Sequence, residues 1–176
     1  MKSEEAMIAD IVRQVLDRQG GQSRPAEGGK PLFHSTRDIT LDAAEALMKR
    51  VEAKAARMGM RVVTAVSDSH GNPVAVRCMD GAYMGSFDVA LNKTYTAIAF
   101  QMSTEELGLL SAPGKELYGI QYTNRGRIVI FGGGVLLKKN GQIIGAFGVS
   151  GGSAQQDTEL ARYAQGVFEE IASTGV

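Results

Sequence analysis

The chain has no tryptophan, one cysteine, two histidines and four prolines in 176 residues. Each shortage excludes something. A lone Cys78 cannot close an internal disulfide, and with only His34 and His70 beside it there is neither a CxxC pair nor the Cys/His spacing of a zinc site. A reducing, cytoplasmic setting is the expectation. Lys+Arg and Asp+Glu both number 19, so no excess of either sign draws the chain to nucleic acid or to an anionic membrane. No apolar run approaches the ~20 residues needed to span a bilayer, and the start lacks the basic-then-apolar pattern of a secretory signal. With aromatics at 6% and 22 glycines, the expected core is aliphatic and the backbone closely packed.

Against these absences one stretch stands out, residues 131–157, FGGGVLLKKNGQIIGAFGVSGGSAQQD. Two β-rich segments flank Asn140-Gly141, a pair suited to the positive φ angles of a type I′ turn, which predicts a hairpin. After the second segment, Ser150-Gly151-Gly152-Ser153 ends the strand. Ser153 with Gln156 has capping-box spacing and predicts a helix start. The glycine runs at both ends of the hairpin predict close backbone approach, either to packed neighbours or to a ligand. The free N–H groups of the helix start also suit a carboxylate or phosphate.

Residues 1–19 carry Ile8, Ile11, Val12, Val15 and Leu16 on one stripe between charged positions, an amphipathic helix. Residues 20–39 have the Gly, Pro and polar content of a flexible linker. A short one-sided helix on a tether gains stability by laying its stripe on something else, its own domain or a partner. The domain proper is expected over 40–176. Thr40 predicts the N-cap of a first helix ending at Met58-Gly59. The runs 61–67 and 74–79 predict two antiparallel strands around a turn at 68–73. A second helix is expected over 86–100 with Phe87, Ala90, Leu91, Thr94, Tyr95, Ile98 and Ala99 inward and Lys93 off that stripe. Ser103 and Glu106 predict a short capped helix, and Ile128–Phe131 a third strand before the hairpin. The sum is an α+β layered domain, a five-stranded, mostly antiparallel sheet covered by helices, with the N-terminal helix tethered to it.

No Ser-His-Asp set, P-loop or carboxylate pair is present. His70, on an ordered turn, is the better placed of the two histidines for an axial-ligand or acid–base role. Arg125 and Arg127, before Gly132-Gly133-Gly134, are candidates to clamp a carboxylate.

Residues 40–172 resemble the GlcG/HbpS family of haem-binding and haem-degrading-like proteins, which includes the C-terminal domain of PduO-type proteins. The resemblance rests on MDGAYMGSFDVALNKTYTA (79–97), Pro113-Gly114, Leu117-Tyr118-Gly119, GRIVIFGGGVLL (126–137) and GQIIGAFGVSGGSAQQD (141–157). It implies a profilin-like fold, assembly into homo-oligomers from dimer to octamer, and binding of haem or a related tetrapyrrole, with possible redox activity. Family-typical positions that match are Asp88, Lys93, Gly132, Gly133, Gly134, Ser150, Gly151, Gly152 and Asp157. The cofactor site is expected where Gly132–Gly134 and Ser150–Gly152 meet the start of the last helix, with Lys93 or Arg127 holding propionates and His70, chosen over His34, Cys78 and the tyrosines, holding the iron. Residues 4–19 resemble an encapsulation peptide of bacterial microcompartment cargo. That implies docking of Ile8, Ile11, Val12, Val15 and Leu16 on shell proteins or co-packaged enzymes, and a place in the compartment lumen. The alternative is a non-catalytic assembly or corrinoid/flavin-handling protein that shares the fold.

Overall fold

The structure, a computed structural model, describes residues 38–174, within the second of two units into which the chain divides, Thr36–Val176. The helix expected over 1–19, with its stripe of Ile8, Ile11, Val12, Val15 and Leu16, and the linker expected up to residue 37 lie outside the described residues.

Helix α1 (Leu41–Arg57) begins where Thr40 accepts the Ala43 N–H on its hydroxyl and buries Ala44, Leu47, Met48, Val51 and Ala55 at helical spacing. Strands β1 (Val63–Asp68) and β2 (Pro73–Cys78) form the expected hairpin. Helix α2 (Ser86–Phe100) is followed by α3 (Thr104–Leu110), whose start carries the full Ser103/Glu106 capping box. Two short 3-10 turns, Ile120–Tyr122 and Asn124–Gly126, lead to β3 (Gly134–Lys139) and β4 (Gln142–Ser150). Asn140 and Gly141 both have positive φ, 52° and 77°, as the tight turn between β3 and β4 requires. The final helix α4 (Ala154–Thr174) starts at the second capping box, in which the Gln156 N–H donates to Ser153 Oγ and the Ser153 N–H to Gln156 Oε1.

The described residues form one antiparallel sheet in the order β2-β1-β4-β3. It has four strands, not five. Ile128–Phe131 has strand composition but packs among helices: the Val129 N–H donates to Thr96 Oγ1 of α2, and the Ile130 carbonyl lies against Gly108 of α3. With its backbone turned to helices, the segment joins no ladder.

The main core lies between one sheet face and the pair α1 and α4, where Leu47, Met48 and Val51 meet Val66, Leu137, Phe147, Leu160 and Phe168. Each such fully buried side chain contributes about 1.5–3 kcal/mol. Helix α2 covers the other face with small residues, Ala90 and Ala97 against Ala65 and Ala146. Its approach is so close that a Cβ at Gly148 of β4 would collide with the Ala90 carbonyl. The buried face of α2 is therefore Ser86, Ala90, Lys93, Thr94, Thr96 and Ala97, rotated from the expected stripe, and Phe87 is exposed. Large side chains do not fit where the helix backbone nearly touches the strand.

Candidate functional site

The residues expected to form one site fall into two clusters. The first surrounds Lys93, which is 0% exposed. Its ammonium donates to the Val149 carbonyl and to Asp157 Oδ2, both at 2.7 Å, and sits 4.9 Å from the centroid of the Phe131 ring. Lys93 belongs to α2 on one sheet face, and Asp157 to α4, which packs on the other. The lysine thus passes the end of the β3–β4 pairing to join the two helical layers.

Gly133 makes the passage. The Val149 N–H donates to the Gly133 carbonyl, and a Cβ at Gly133 would lie 2.6 Å from Lys93 Nζ, 2.7 Å from the Val149 carbonyl oxygen and 2.9 Å from the Asp157 Cβ. Its φ of +113° also disfavours any side chain. Space beside Gly132 is taken by Thr158 of α4, and beside Gly134 by Thr104 of α3, whose hydroxyl accepts the Gly134 N–H at 2.9 Å. The second run is filled likewise. The Gly152 N–H donates to Asp157 Oδ1 at 3.0 Å, the Gly151 N–H also reaches that carboxylate, and the Ser150 hydroxyl donates to Ser86 Oγ at 3.2 Å. The anion that suits these amides is the chain's own Asp157.

Burial works against both charges. It lowers the Lys93 pKa below the ordinary lysine value, with Asp157 opposing, and raises that of Asp157, with Lys93 and the glycine N–H groups opposing. Every polar atom of the pair is engaged, and the arrangement holds the ion pair rather than exposing a reactive amine.

The second cluster is on the surface around Tyr95 of α2. Arg127 stacks on the Tyr95 ring with its Cζ 3.7 Å from the centroid and directs Nε to Asn92 Oδ1 at 3.4 Å. Asn124 Nδ2 donates to the Tyr95 hydroxyl at 3.0 Å from a backbone in the left-handed region, and Arg125 beside it shares that conformation. The β1–β2 turn also approaches Tyr95, where Gly71 faces Tyr95 and Ile98. His70 sits on this turn, exposed, with Nδ1 3.2 Å from Ser69 Oγ. The turn is braced: Asp68 Oδ1 accepts the His70 and Asn72 N–H groups at 2.9 and 2.8 Å, and Asp38 accepts that of Ser69 at 3.0 Å. The structure therefore places Arg127 on Tyr95 with the turn that bears His70 nearby, and Lys93 with the glycine runs about Asp157.

Sequence reasoning placed Lys93 off the apolar stripe without finding its partner. The available signal was the spacing Ser86, Ala90, Lys93, Thr94, Ala97, a face of small residues into which one lysine is set. Tyr95, Asn92 and Asn124 gave no separate signal. Cys78 is exposed at the end of the edge strand β2, and among the described residues no group of three or more His, Cys, Asp or Glu side chains could hold a metal ion. No described helix is long and apolar enough to cross a membrane.

Comparison with known proteins sets these clusters in a lineage. The family model described as haem degrading protein HbpS-like matches residues 39–165. A 15.0 kDa protein from the dhaT-dhaS intergenic region of Citrobacter freundii is 47% identical over 133 residues, covering 76% of this chain and 94% of that protein. The corrinoid adenosyltransferase PduO of Salmonella typhimurium is 32% identical over 165 residues, covering 91% of this chain and 47% of PduO, so the match spans about half of that longer protein. Among solved structures, a PduOC:heme complex aligns with a TM-score of 0.71 at 32% identity, covering 74% of this chain and 94% of the other. The sheet, its helices and the glycine-framed Lys93–Asp157 pair described above are thus those of a chain that belongs to the HbpS-like, haem-degrading family.

Proposed function

We propose that the chain is a haem- or tetrapyrrole-binding accessory protein that works as a homo-oligomer and is packaged as cargo in a bacterial microcompartment. The observation that carries the tetrapyrrole reading is the similarity, across 74% of the chain, to a relative solved with haem.

This chain's own residues fit such a group. His70 presents an imidazole from a turn already braced by Asp68 and Asp38, so ordering it on binding costs little. With Nδ1 turned to Ser69, Nε2 is the nitrogen left for iron. Arg127, held flat on Tyr95, offers a guanidinium for a propionate. Bound iron would supply a one-electron redox centre. Lys93, Gly132, Gly133, Gly134, Ser150, Gly151 and Gly152 take the supporting role in this reading: they fix α2, which carries Tyr95, against the sheet that carries the His70 turn.

The match to PduO favours a second reading, a corrinoid-handling or assembly role on the same fold. Titrating the full chain with haemin and recording the visible spectrum separates the two. A shifted, saturable Soret band is expected. The spectrum of free haemin throughout would overturn the haem reading and leave the second.

The cargo role rests on the stripe Ile8, Ile11, Val12, Val15, Leu16 and the linker composition that follows it. Its docking partners would be shell proteins or co-packaged enzymes in the compartment lumen.

A further inference from the structure

The groove between α3 and α4 borders the Lys93 cluster at Phe131, Gly132 and Thr158 and lies apart from the residues around Tyr95. It consists of two clefts of about 650 and 500 Å³ that share Glu105, Thr158 and Arg162. Volumes in this range are those of small-molecule sites. The larger cleft is lined by Leu109, Ile130 and Phe131, together with Ala154 and Gln155 from the first turn of α4. Leu109 is 69% and Phe131 45% exposed, a large apolar surface for two residues lining one concavity.

Two features define what would fill it. The Phe131 ring lies over the buried Lys93 ammonium, 4.9 Å from its centroid. A cation against a ring draws electron density from it, which favours stacking by an electron-rich aromatic on the ring's exposed part. At the boundary between the clefts, Arg162 Nη2 donates to Glu105 Oε2 at 2.7 Å, while both side chains remain open to solvent. An exposed pair of this kind is held weakly, and its guanidinium is available to any carboxylate that also gains apolar burial. The other acid of the larger cleft, Glu159, is engaged by Lys54 at 3.2 Å.

We propose that this groove binds a planar aromatic carboxylate, with the ring against Phe131, Leu109 and Ile130 and the carboxylate taking Arg162 from Glu105. The site is separate from the His70 and Arg127 cluster and needs no iron.

The test uses 2-naphthoate as the probe and isothermal titration of the full chain, with 2-naphthalenemethanol as the neutral analogue. Wild type should bind naphthoate and discriminate against the alcohol. Glu105→Gln removes the competing carboxylate and should tighten naphthoate binding several-fold. Arg162→Gln should weaken it by up to about fivefold, the span expected for a solvent-exposed charge contact. Both variants alter an exposed pair, so the fold is retained, and circular dichroism melts confirm it. Equal binding of acid and alcohol, or the same naphthoate affinity in wild type, Glu105→Gln and Arg162→Gln, or no binding by any of them, would overturn the proposal. None of these results bears on the haemin spectrum, so the two readings fail separately.

Discussion

Lys93 and Asp157 stand 64 residues apart in the chain and 2.7 Å apart in space, and their bond passes through the room left by Gly133. One contact thereby joins the helix on one sheet face to a helix on the other.

Removing one partner leaves a buried charge alone. Lys93→Met should destabilise the domain by about 3–5 kcal/mol in urea denaturation, whereas the double variant Lys93→Met/Asp157→Leu should recover much of that loss. The single variant should also acquire a pH dependence. Burial already holds the Asp157 carboxyl above its ordinary value of 3.8, and Lys93 opposes that rise, so without the lysine it rises further. Between the unfolded and folded values the folded state binds more protons, so stability falls as pH increases through that window. Lys93→Met should thus be most stable at acidic pH, and a flat profile above pH 4 would mean that Asp157 is already rehydrated.

Two glycines separate close packing from mere composition. Gly133→Ala should destabilise severely and break the Lys93–Asp157 contact, because its Cβ would lie 2.6 Å from Lys93 Nζ on a backbone at φ +113°. Gly85, before α2, has negative φ and nothing within 4 Å of a Cβ. Gly85→Ala should be neutral or stabilise by about 0.4–1 kcal/mol through the unfolded chain. Thermal melts of the two variants check both.

Much of this was legible because it is local. Both capping boxes, the Asn140-Gly141 turn, the Thr40 cap and the α1 stripe depend on residues within a few positions of one another. What was not legible is non-local. The glycine runs announced close approach, but that the approaching group is Lys93 depends on how α2 lies across the sheet. The buried face of α2 was misjudged because Gly148 and Ala146 force small residues there, a constraint set by another strand. Ile128–Phe131 has strand composition, but whether such a segment pairs depends on an open neighbouring edge. Here Thr96 takes the Val129 N–H instead. For the surface cluster, His70 and Arg127 were visible as residue types, and Tyr95, which relates them, was read as part of an apolar stripe.

The α3 capping box carries its own pH signature. The Ser103 N–H and then its hydroxyl hold the Glu106 carboxyl below the ordinary value of 4.5. A depressed folded pKa gives stability that is present above the ordinary value and is lost as pH falls through the folded one. Melting temperatures of wild type and Glu106→Gln should therefore differ at pH 6 and converge toward pH 3. A constant difference across that range would assign the effect to packing.

Deleting residues 1–30 should leave the melting temperature of the remaining chain nearly unchanged and abolish co-purification with microcompartment shell proteins. The described domain has its own core from Ile39 to Phe168, and the stripe lies beyond a linker-like sequence. A large fall in melting temperature would show that residues 1–30 contribute to the core instead. Retained co-purification would move the docking surface to the domain.

His70 and Arg127 should fail in different ways, because one is assigned to iron and the other to a carboxylate. His70→Ala removes an exposed imidazole from a turn that Asp68 still braces through the backbone, so the fold is kept while the iron loses its ligand. The Soret band of the haemin complex should shift. Arg127→Gln leaves the imidazole in place but loses the charge and the flat contact on Tyr95 at 3.7 Å. Haemin affinity should drop by roughly tenfold, about 1.4 kcal/mol, with the Soret position unchanged in the complex that remains. If His70→Ala leaves both spectrum and affinity as in wild type, iron is held elsewhere, and the Tyr95 cluster loses its assignment even if haem binding itself is observed.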